Sequence, residues 1–156
     1  AVLFASVVVA SCGDSSKALF TEAQALEAAR AFPAALAAKD PAEVARWCRA
    51  PFTFQGRVWT TADDVARNWA KEHVRVRHVI EGFDAFEARS RRDLEAGRFP
   101  RNETVDEEKR AARVEQSGVE ANGWLVRVYS GSKQGYLLAL NVRDGGVRLS
   151  ATAFDL

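Results

Sequence analysis

The two histidines of the chain, His73 and His78, are the first residues to consider for acid–base or metal chemistry. They lie five positions apart, a spacing that neither the alternation of a strand nor one turn of a helix brings together. No group of cysteines, histidines and carboxylates with metal-ligand spacing accompanies them. We therefore expect exposed histidines that flank an element, and the sequence predicts no metal site and no cofactor.

Asp63 and Asp64 are the carboxylates best placed to act as a general base, which must be titratable and must lie in a pocket. Both follow Thr61, at the start of an amphipathic run that contains Val65 and Trp69. The N-terminus of a helix explains two aspartates at this position more simply than catalysis does. The pattern therefore predicts no catalytic residue.

Cys12 and Cys48 are the only cysteines, and they could form one disulfide. However, residues 1–10 are apolar and too short to span a bilayer, and Val9-Ala10-Ser11 leads directly into Cys12. This sequence resembles a bacterial lipobox, in which the cysteine is lipidated and becomes the first residue of the mature protein. The resemblance implies a signal-peptide remnant at residues 1–11, a tether at residues 12–18, and a lipid on Cys12 that anchors the protein to a membrane of the bacterial cell envelope. The domain would face the periplasm or the exterior, and Cys48 would be a lone core thiol. The alternative is a buried N-terminal strand that ends at a core cysteine.

Length and composition predict one domain with a sizeable core. The chain has 156 residues, of which 47% are hydrophobic and 28% are charged, as in ordinary globular proteins. A formal net charge of +1 gives no basic surface for a polyanion, so we expect no nucleic-acid partner. The basic cluster Arg89-Ser90-Arg91-Arg92 is interpreted as part of a solvated face of mixed charge, although contact with anionic lipid headgroups is an alternative.

The run from Ala112 to Leu156 is predicted to form an antiparallel meander. Asn122-Gly123 is a strong hairpin signal, because a type I′ turn needs positive φ at both central residues. The strand before this turn is predicted to end at Ala121. The strands after it are predicted at Trp124–Tyr129, Tyr136–Arg143 and Val147–Phe154.

Alternation with a period of two gives each of these strands one apolar face and one mixed face. In the predicted strand before the turn, Val114 and Val119 have opposite parity, so we expect a bulge near Ser117-Gly118 that curves the sheet. A sheet with one apolar and one mixed face needs helices on one side. The predicted core faces are Trp124, Val126 and Val128, then Tyr136, Leu138, Leu140 and Val142, and finally Val147, Leu149, Ala151 and Ala153.

The N-terminal half contains three helix start signals and one short hairpin. Thr21 with Gln three residues later forms a capping-box pattern, and Pro33 is expected to kink or break the helix that follows. Asp40-Pro41 begins a second helix and Thr61 a third. The segment 52–59 is predicted to be a hairpin.

Residues 73–111 are interpreted as an insertion. Val74–Ile80 alternates like a strand but could be helical, and Phe83, Phe86, Ser90 and Leu94 recur at helical spacing up to Gly97. The charged stretch 102–111 is predicted to be a short helix or a loop. Because long insertions with structure of their own are often functional, this one could cover the mouth of a pocket.

This order of elements resembles the nuclear transport factor 2-like superfamily, which includes the SnoaL-like polyketide cyclases and ketosteroid isomerase. The resemblance covers residues 19–72 and 112–155. It is carried by Phe32–Asp40, Val44–Cys48, Phe52–Phe54 and Thr61–Trp69. It implies an α+β domain over residues 19–156, in which a curved antiparallel sheet wraps around the N-terminal helices as a cone with a pocket at its open end, and in which 73–111 is a helical insertion.

The function implied by the resemblance depends on one stretch. Isomerases of the superfamily carry a carboxylate base just after the second helix, but Ala50–Gly56 contains no carboxylate and Gln55 cannot act as a base. We therefore expect non-catalytic binding of a small apolar ligand or a protein partner through the cone, with Gln55, Trp59, Trp69 and Tyr136 as candidate ligand-binding residues. The alternatives are a SnoaL-like cyclase or isomerase that uses other polar groups, and a module that forms a homodimer through the outer face of the sheet.

Overall fold

The structure is a computed structural model that describes residues 19–38, 40–76, 83–130 and 135–154. The predicted lipobox at Cys12, the histidine at position 78 and residues 131–134 lie outside the described residues. The elements are α1 (Glu22–Ala37), α2 (Pro41–Trp47), β1 (Cys48–Phe54), β2 (Arg57–Trp59), α3 (Ala62–Val76), β3 (Ala85–Ser90), α4 (Arg91–Glu95), a 3-10 turn (Pro100–Asn102), α5 (Glu107–Gln116), β4 (Trp124–Tyr129), β5 (Tyr136–Arg143) and β6 (Gly146–Phe154).

The six strands form one sheet in the order β2-β1-β6-β5-β4-β3. Neighbouring strands are antiparallel except for β1 and β6, which are parallel, so the sheet is mixed. Shifts in register interrupt both the β1–β6 and the β5–β6 pairings, and such irregularities bend a sheet. The α+β class expected from the superfamily resemblance, with N-terminal helices held against a curved sheet, is confirmed.

The three N-terminal helices begin where the sequence signals predicted. Thr21 forms the capping box with Gln24, and the Asp40 carboxylate accepts a hydrogen bond from the Ala42 N–H at 2.9 Å. The Thr61 hydroxyl accepts from the Asp64 N–H at 3.1 Å, at the start of α3. Helix α1 is not broken by Pro33 and continues to Ala37. Burial of Phe32 and Leu36, one turn apart on the same face, offsets the missing backbone hydrogen bond.

Two apolar clusters lie on opposite faces of the sheet. The larger cluster joins α1, α2 and α3 to the inner face of the sheet, which includes Val126, Val128, Leu138 and Leu140. The smaller cluster joins α4, the segment after it and α5 to the outer face of the sheet through Leu94, Phe99, Val114, Val119, Leu125, Ala139 and Ala151. The described helices of the expected insertion therefore cover the outer face of the sheet, not the mouth of the cone, and β3 joins the sheet as an edge strand.

The predicted first strand of the meander is wrong, because Glu107–Gln116 is helical. Gly118, with φ of 73°, follows the end of this helix in the left-handed conformation typical of helix C-termini. The turn between the helix and β4 is centred on Ala121 and Asn122, because the Gly123 N–H donates to the Glu120 carbonyl at 2.9 Å. The antiparallel neighbour of β4 on that side is β3. The opposite parity of Val114 and Val119 therefore comes from a helix and the loop after it, and no bulge lies near Ser117-Gly118.

The irregularity that bends β6 is at Ser150. Leu149 pairs with Leu140 and Ala151 pairs with Ala139, so Ser150 is an extra residue in β6. Leu149 therefore belongs to the larger cluster and Ala151 to the smaller one. The prediction that both share one face is wrong, because it assumed unbroken alternation along the strand.

Two predictions of secondary structure between positions 74 and 97 can also be compared with the structure. The described residues Val74–Val76 belong to α3, in agreement with the helical alternative. The predicted helical stripe from Phe83 to Leu94 is instead strand β3 followed by the short helix α4, which Ser90 begins by accepting from the Asp93 N–H at 3.1 Å. A polar residue that caps a helix at the end of a strand breaks the helical pattern at this position.

Candidate functional site

An aromatic cluster fills the end of the cone between the β1–β2 hairpin and α3. Phe54 stacks on Trp59 with ring centroids 5.0 Å apart, and Trp59 meets Trp69 edge to face at 5.7 Å. Phe52 lies 6.0 Å from the Trp69 ring. The structure thus brings together Trp59 and Trp69, two of the predicted ligand-binding residues, but their exposed fractions are only 7% and 0%. Their rings contact one another and leave little surface for a ligand.

The Cys48 thiol lies against this cluster. The Trp69 indole N–H donates a hydrogen bond to Cys48 Sγ at 3.1 Å, and the thiol donates to the Val44 carbonyl at 3.5 Å. Burial raises the pKa of Cys48 from 9.0 to about 12, although the hydrogen bond from Trp69 acts in the opposite direction. Cys48 is a free cysteine. A thiol that stays protonated at neutral pH packs as a small apolar group and is a poor nucleophile.

Tyr136 and Gln55, the other two predicted ligand-binding residues, do not join the two tryptophans in a pocket. Tyr136 is 1% exposed, and its ring lies 5.7 Å from Phe83 and 6.5 Å from Phe32. Burial raises the pKa of its hydroxyl. Gln55 is exposed in the β1–β2 turn, where its φ is 51°.

His73 is buried, with 3% of its surface exposed, so the expectation of an exposed histidine is wrong for this residue. It lies one helical turn after Trp69 and two turns after Val65 on the same face of α3, a spacing that already identified the buried face of the helix. Its Nε2 atom has no hydrogen-bond partner among the residues that the structure describes. Those residues also contain no group of three or more histidine, cysteine and acidic side chains that could hold a metal ion.

Asp64 stabilises the start of α3, as predicted. Its carboxylate accepts hydrogen bonds from the Thr60 hydroxyl at 3.0 Å and the Thr61 N–H at 3.3 Å, and it forms an ion pair with Arg67. The hydrogen bonds from Thr60 and then Thr61 lower the pKa of Asp64. Asp63 is exposed in the same turn.

An arginine-lined cavity lies on the other side of the sheet. It has a volume of about 130 Å³. Its position follows from the strand register, since Glu87 of β3, Arg127 of β4 and Leu137 of β5 are direct neighbours across three strands. The lining residues are Pro100, Arg101, Glu103, Arg113, Leu125, Arg127, Gly135, Tyr136 and Leu137.

The arginines of this cavity differ in how they are paired. Arg113 makes a two-pronged contact with the Glu103 carboxylate at 3.2 and 3.3 Å. Arg127 lies 4.0 Å from the Glu87 carboxylate, and its guanidinium carbon is 4.1 Å from the centre of the Tyr129 ring. The Arg101 N–H donates to Glu87 at 3.1 Å, and Arg101 has a φ of 64°. The sequence patterns did not predict this site, because its residues come from four separate segments.

A second, more open groove of about 300 Å³ lies between α4 and α5. Arg91 crosses it, paired with Glu95 at 2.8 Å and with Glu115 at 2.5 Å. Arg89 of the same basic cluster pairs with Glu87 at 2.6 Å. These pairs agree with the interpretation of the cluster as part of a face of mixed charge.

Within the described part of the chain, each helix is too short or too polar to cross a lipid bilayer.

No protein-family model matches the chain, and no curated protein matches it. Among solved structures, the chain is similar to a putative calcium/calmodulin-dependent protein kinase II association domain from Xanthomonas campestris. The two sequences are 11% identical, and the structures superpose with a TM-score of 0.44 over 86% of this chain and 89% of that chain.

Proposed function

We propose that this chain is a non-catalytic binding domain, tethered to a membrane by a lipid on Cys12, that recognises its partner through its outer surface. The observation that supports this most strongly is the filled interior of the cone. Trp59, Trp69 and Tyr136, expected to line a pocket, are at most 7% exposed and contact other aromatic rings. Pockets for small organic ligands typically have volumes of about 300–1,000 Å³ and keep such side chains available to the ligand.

The titratable groups near the interior also favour binding over catalysis. The Cys48 thiol is held protonated, and the Asp64 carboxylate is occupied by the hydrogen bonds that begin α3. A general base or nucleophile needs a pKa close to the working pH and access to a substrate. Both groups instead act in packing or in capping a helix.

The way the chain enters the domain supports the tether. Phe20 is buried, and its carbonyl accepts a hydrogen bond from the Trp124 indole at 2.8 Å, whereas Leu19 is exposed. Residues 12–18 then form the link between the proposed lipid and the domain. At ~3.5 Å per residue, this link reaches at most about 25 Å, so the domain stays close to the membrane surface.

The tether is tested by comparing Cys12→Ala with the matched variant Cys48→Ala. We expect Cys12→Ala to appear in the soluble fraction or to remain unprocessed, because one acyl chain contributes about 0.8 kcal/mol per buried methylene and its loss removes the anchor. Cys48→Ala should remain in the membrane fraction. Equal membrane association of the two variants, measured by fractionation and mass spectrometry of the N-terminal peptide, contradicts the tether.

Binding through the outer surface is tested on the full-length protein extracted from membranes. Native mass spectrometry should show the lipidated chain without a stoichiometric apolar small molecule. Cross-linking through the exposed Lys71 and Lys109 in intact cells should capture a protein partner or a second copy at reproducible positions. An apolar compound retained by the wild type but lost from Trp69→Leu would place binding inside the cone. A monomer without cross-links to a protein contradicts the proposed partner.

A further inference from the structure

We propose that the arginine-lined cavity on the outer face of the sheet binds a small organic anion. The cavity lies between the 3-10 turn, α5 and strands β4 and β5, and Arg127, Arg113 and Arg101 contribute the positive charge. The anion's carboxylate or phosphate group contacts Arg127, and its apolar part lies on Leu125 and Leu137.

Arg127 is the residue that most needs such a ligand. Its side chain is only 13% exposed, yet its guanidinium makes no hydrogen bond to any residue in the described ranges. The Glu87 carboxylate, 4.0 Å away, is beyond hydrogen-bonding distance. A guanidinium has five N–H donors and no acceptor, so those of Arg127 are available to an acceptor in the cavity. An oxyanion in the cavity supplies the missing acceptors.

The Glu87 carboxylate is shared between Arg127 and two other donors. Oε1 accepts from Arg89 at 2.6 Å and Oε2 accepts from the Arg101 N–H at 3.1 Å. The residues that line the cavity include three arginines and one glutamate, Glu103, so arginines outnumber carboxylates in the lining. The arrangement therefore favours an anionic ligand.

Tyr129 fixes the orientation of Arg127. The guanidinium carbon lies 4.1 Å from the ring centre, the geometry of a cation–π contact. Covering one face of the planar guanidinium leaves its N–H edges free to make two parallel hydrogen bonds. Carboxylate and phosphate groups are the partners that match this fork.

Cavity size and backbone geometry are consistent with a small ligand. The volume of about 130 Å³ is roughly ten times what one water molecule needs by this measure. At its edge, Arg101 and Asn102 have φ values of 64° and 53°. Left-handed conformations are unfavourable for non-glycine residues and tend to persist at ligand-binding sites.

The test is an NMR titration of the full-length protein in detergent micelles, at constant ionic strength, with sodium succinate and with inorganic phosphate as separate probes. We expect a saturable shift of the Arg127 Nε–Hε signal with at least one probe, at a Kd of about 10 mM or tighter. Saturation by succinate identifies a carboxylate ligand, and saturation by phosphate alone identifies a phosphorylated one.

Arg127→Gln should weaken binding about tenfold or more, because it removes the charged donors, and Arg127→Lys should restore part of the affinity through its charge. The matched control is Arg67→Gln, which makes the same change in charge at an exposed position of α3. This variant should bind both probes like the wild type. If Arg127→Gln does not fold, Arg113→Gln replaces it, with the same expected direction. No saturable shift with either probe, or equal affinity in Arg127→Gln and Arg67→Gln, overturns the proposal.

Discussion

Replacing Trp69 with alanine tests whether the interior of the cone is a packed core or a pocket. Trp69 is fully buried on α3 and contacts rings from both strands of the β1–β2 hairpin. The ring centroids of Phe52, Phe54 and Trp59 lie 6.0, 5.4 and 5.7 Å away. The substitution therefore leaves a large cavity in the middle of an aromatic cluster and removes the link between a helix and the edge of the sheet.

The expected cost follows from this burial. Truncating a buried phenylalanine or tryptophan to alanine typically costs about 3–5 kcal/mol, because the lost transfer free energy and the cavity add. Domains have a free energy of unfolding of about 5–15 kcal/mol, so the variant loses a large share of its stability. At about 2–4 °C per kcal/mol for a chain of this size, the melting temperature should fall by about 6–20 °C.

The assay is urea and thermal unfolding followed by circular dichroism on the full-length protein. The matched control is Trp47→Ala, since Trp47 is half-buried and, among the described residues, its ring meets only that of Phe32, edge to face at 6.2 Å. We expect a clearly smaller loss for this control. If Trp69→Ala costs less than about 1 kcal/mol, or no more than Trp47→Ala, the filled-core reasoning is refuted, because a side chain that lines an open pocket can be truncated cheaply.

Three further outcomes are expected. Cys48 should react with a disulfide reagent at pH 8 far more slowly in the native protein than in urea, since burial raises its pKa to about 12. Because the thiol ionises at a lower pH in the unfolded chain, the free energy of unfolding should fall as the pH rises from about 9 to about 12. Asn141→Ala should cost about 1–3 kcal/mol in urea unfolding, because it leaves the Glu120 N–H without its acceptor at 2.8 Å. Gly118→Ala should lower the free energy of unfolding more than Gly145→Ala. Both glycines have φ near +74°, but of the two only Gly118 would place the new methyl group within 2.9 Å of another side chain. Equal losses of stability in urea unfolding would contradict that close contact.

Much of the fold could be predicted from the sequence because its signals are local. The caps at Thr21, Asp40 and Thr61 need only residues within one helical turn, and all three helices begin there. The strands Trp124–Tyr129 and Tyr136–Arg143 also have the predicted bounds, because their alternation is unbroken over six and eight residues.

The errors occurred where a local signal competed with a distant contact. Asn122-Gly123 has the sequence of a hairpin turn, but the neighbour of β4 is β3, more than thirty positions earlier in the chain. The charged stretch 102–111 was predicted to be a short helix or a loop. Helix α5 instead continues to Gln116, into the predicted strand, and its Val114 packs against the outer face of the sheet. Contacts between distant segments determine the structure in both cases, so the pattern within one segment was not enough to predict it.

The candidate sites show the same difference between local signals and contacts across distant segments. Trp59 and Trp69 were predicted to lie together, and they do, because the hairpin and α3 follow each other directly in the chain. Arg127 was assigned only to a mixed face of its strand. Its neighbours Glu87, Arg113 and Arg101 come from β3, α5 and the 3-10 turn, so the cavity became visible only after the strand register was known.

The two faces of β4 explain why a cavity forms at this position. Val126 and Val128 face the larger cluster, while Leu125 faces the smaller one and is covered by the chain between α4 and α5. Arg127 is the next residue along that outer face, where the apolar cluster ends. A valine or leucine at this position could extend the cluster, since its cross-strand neighbour on β5 is Leu137. An arginine there interrupts the apolar surface beside two other arginines, and this change from apolar to charged lining is what gives the cavity its chemical character.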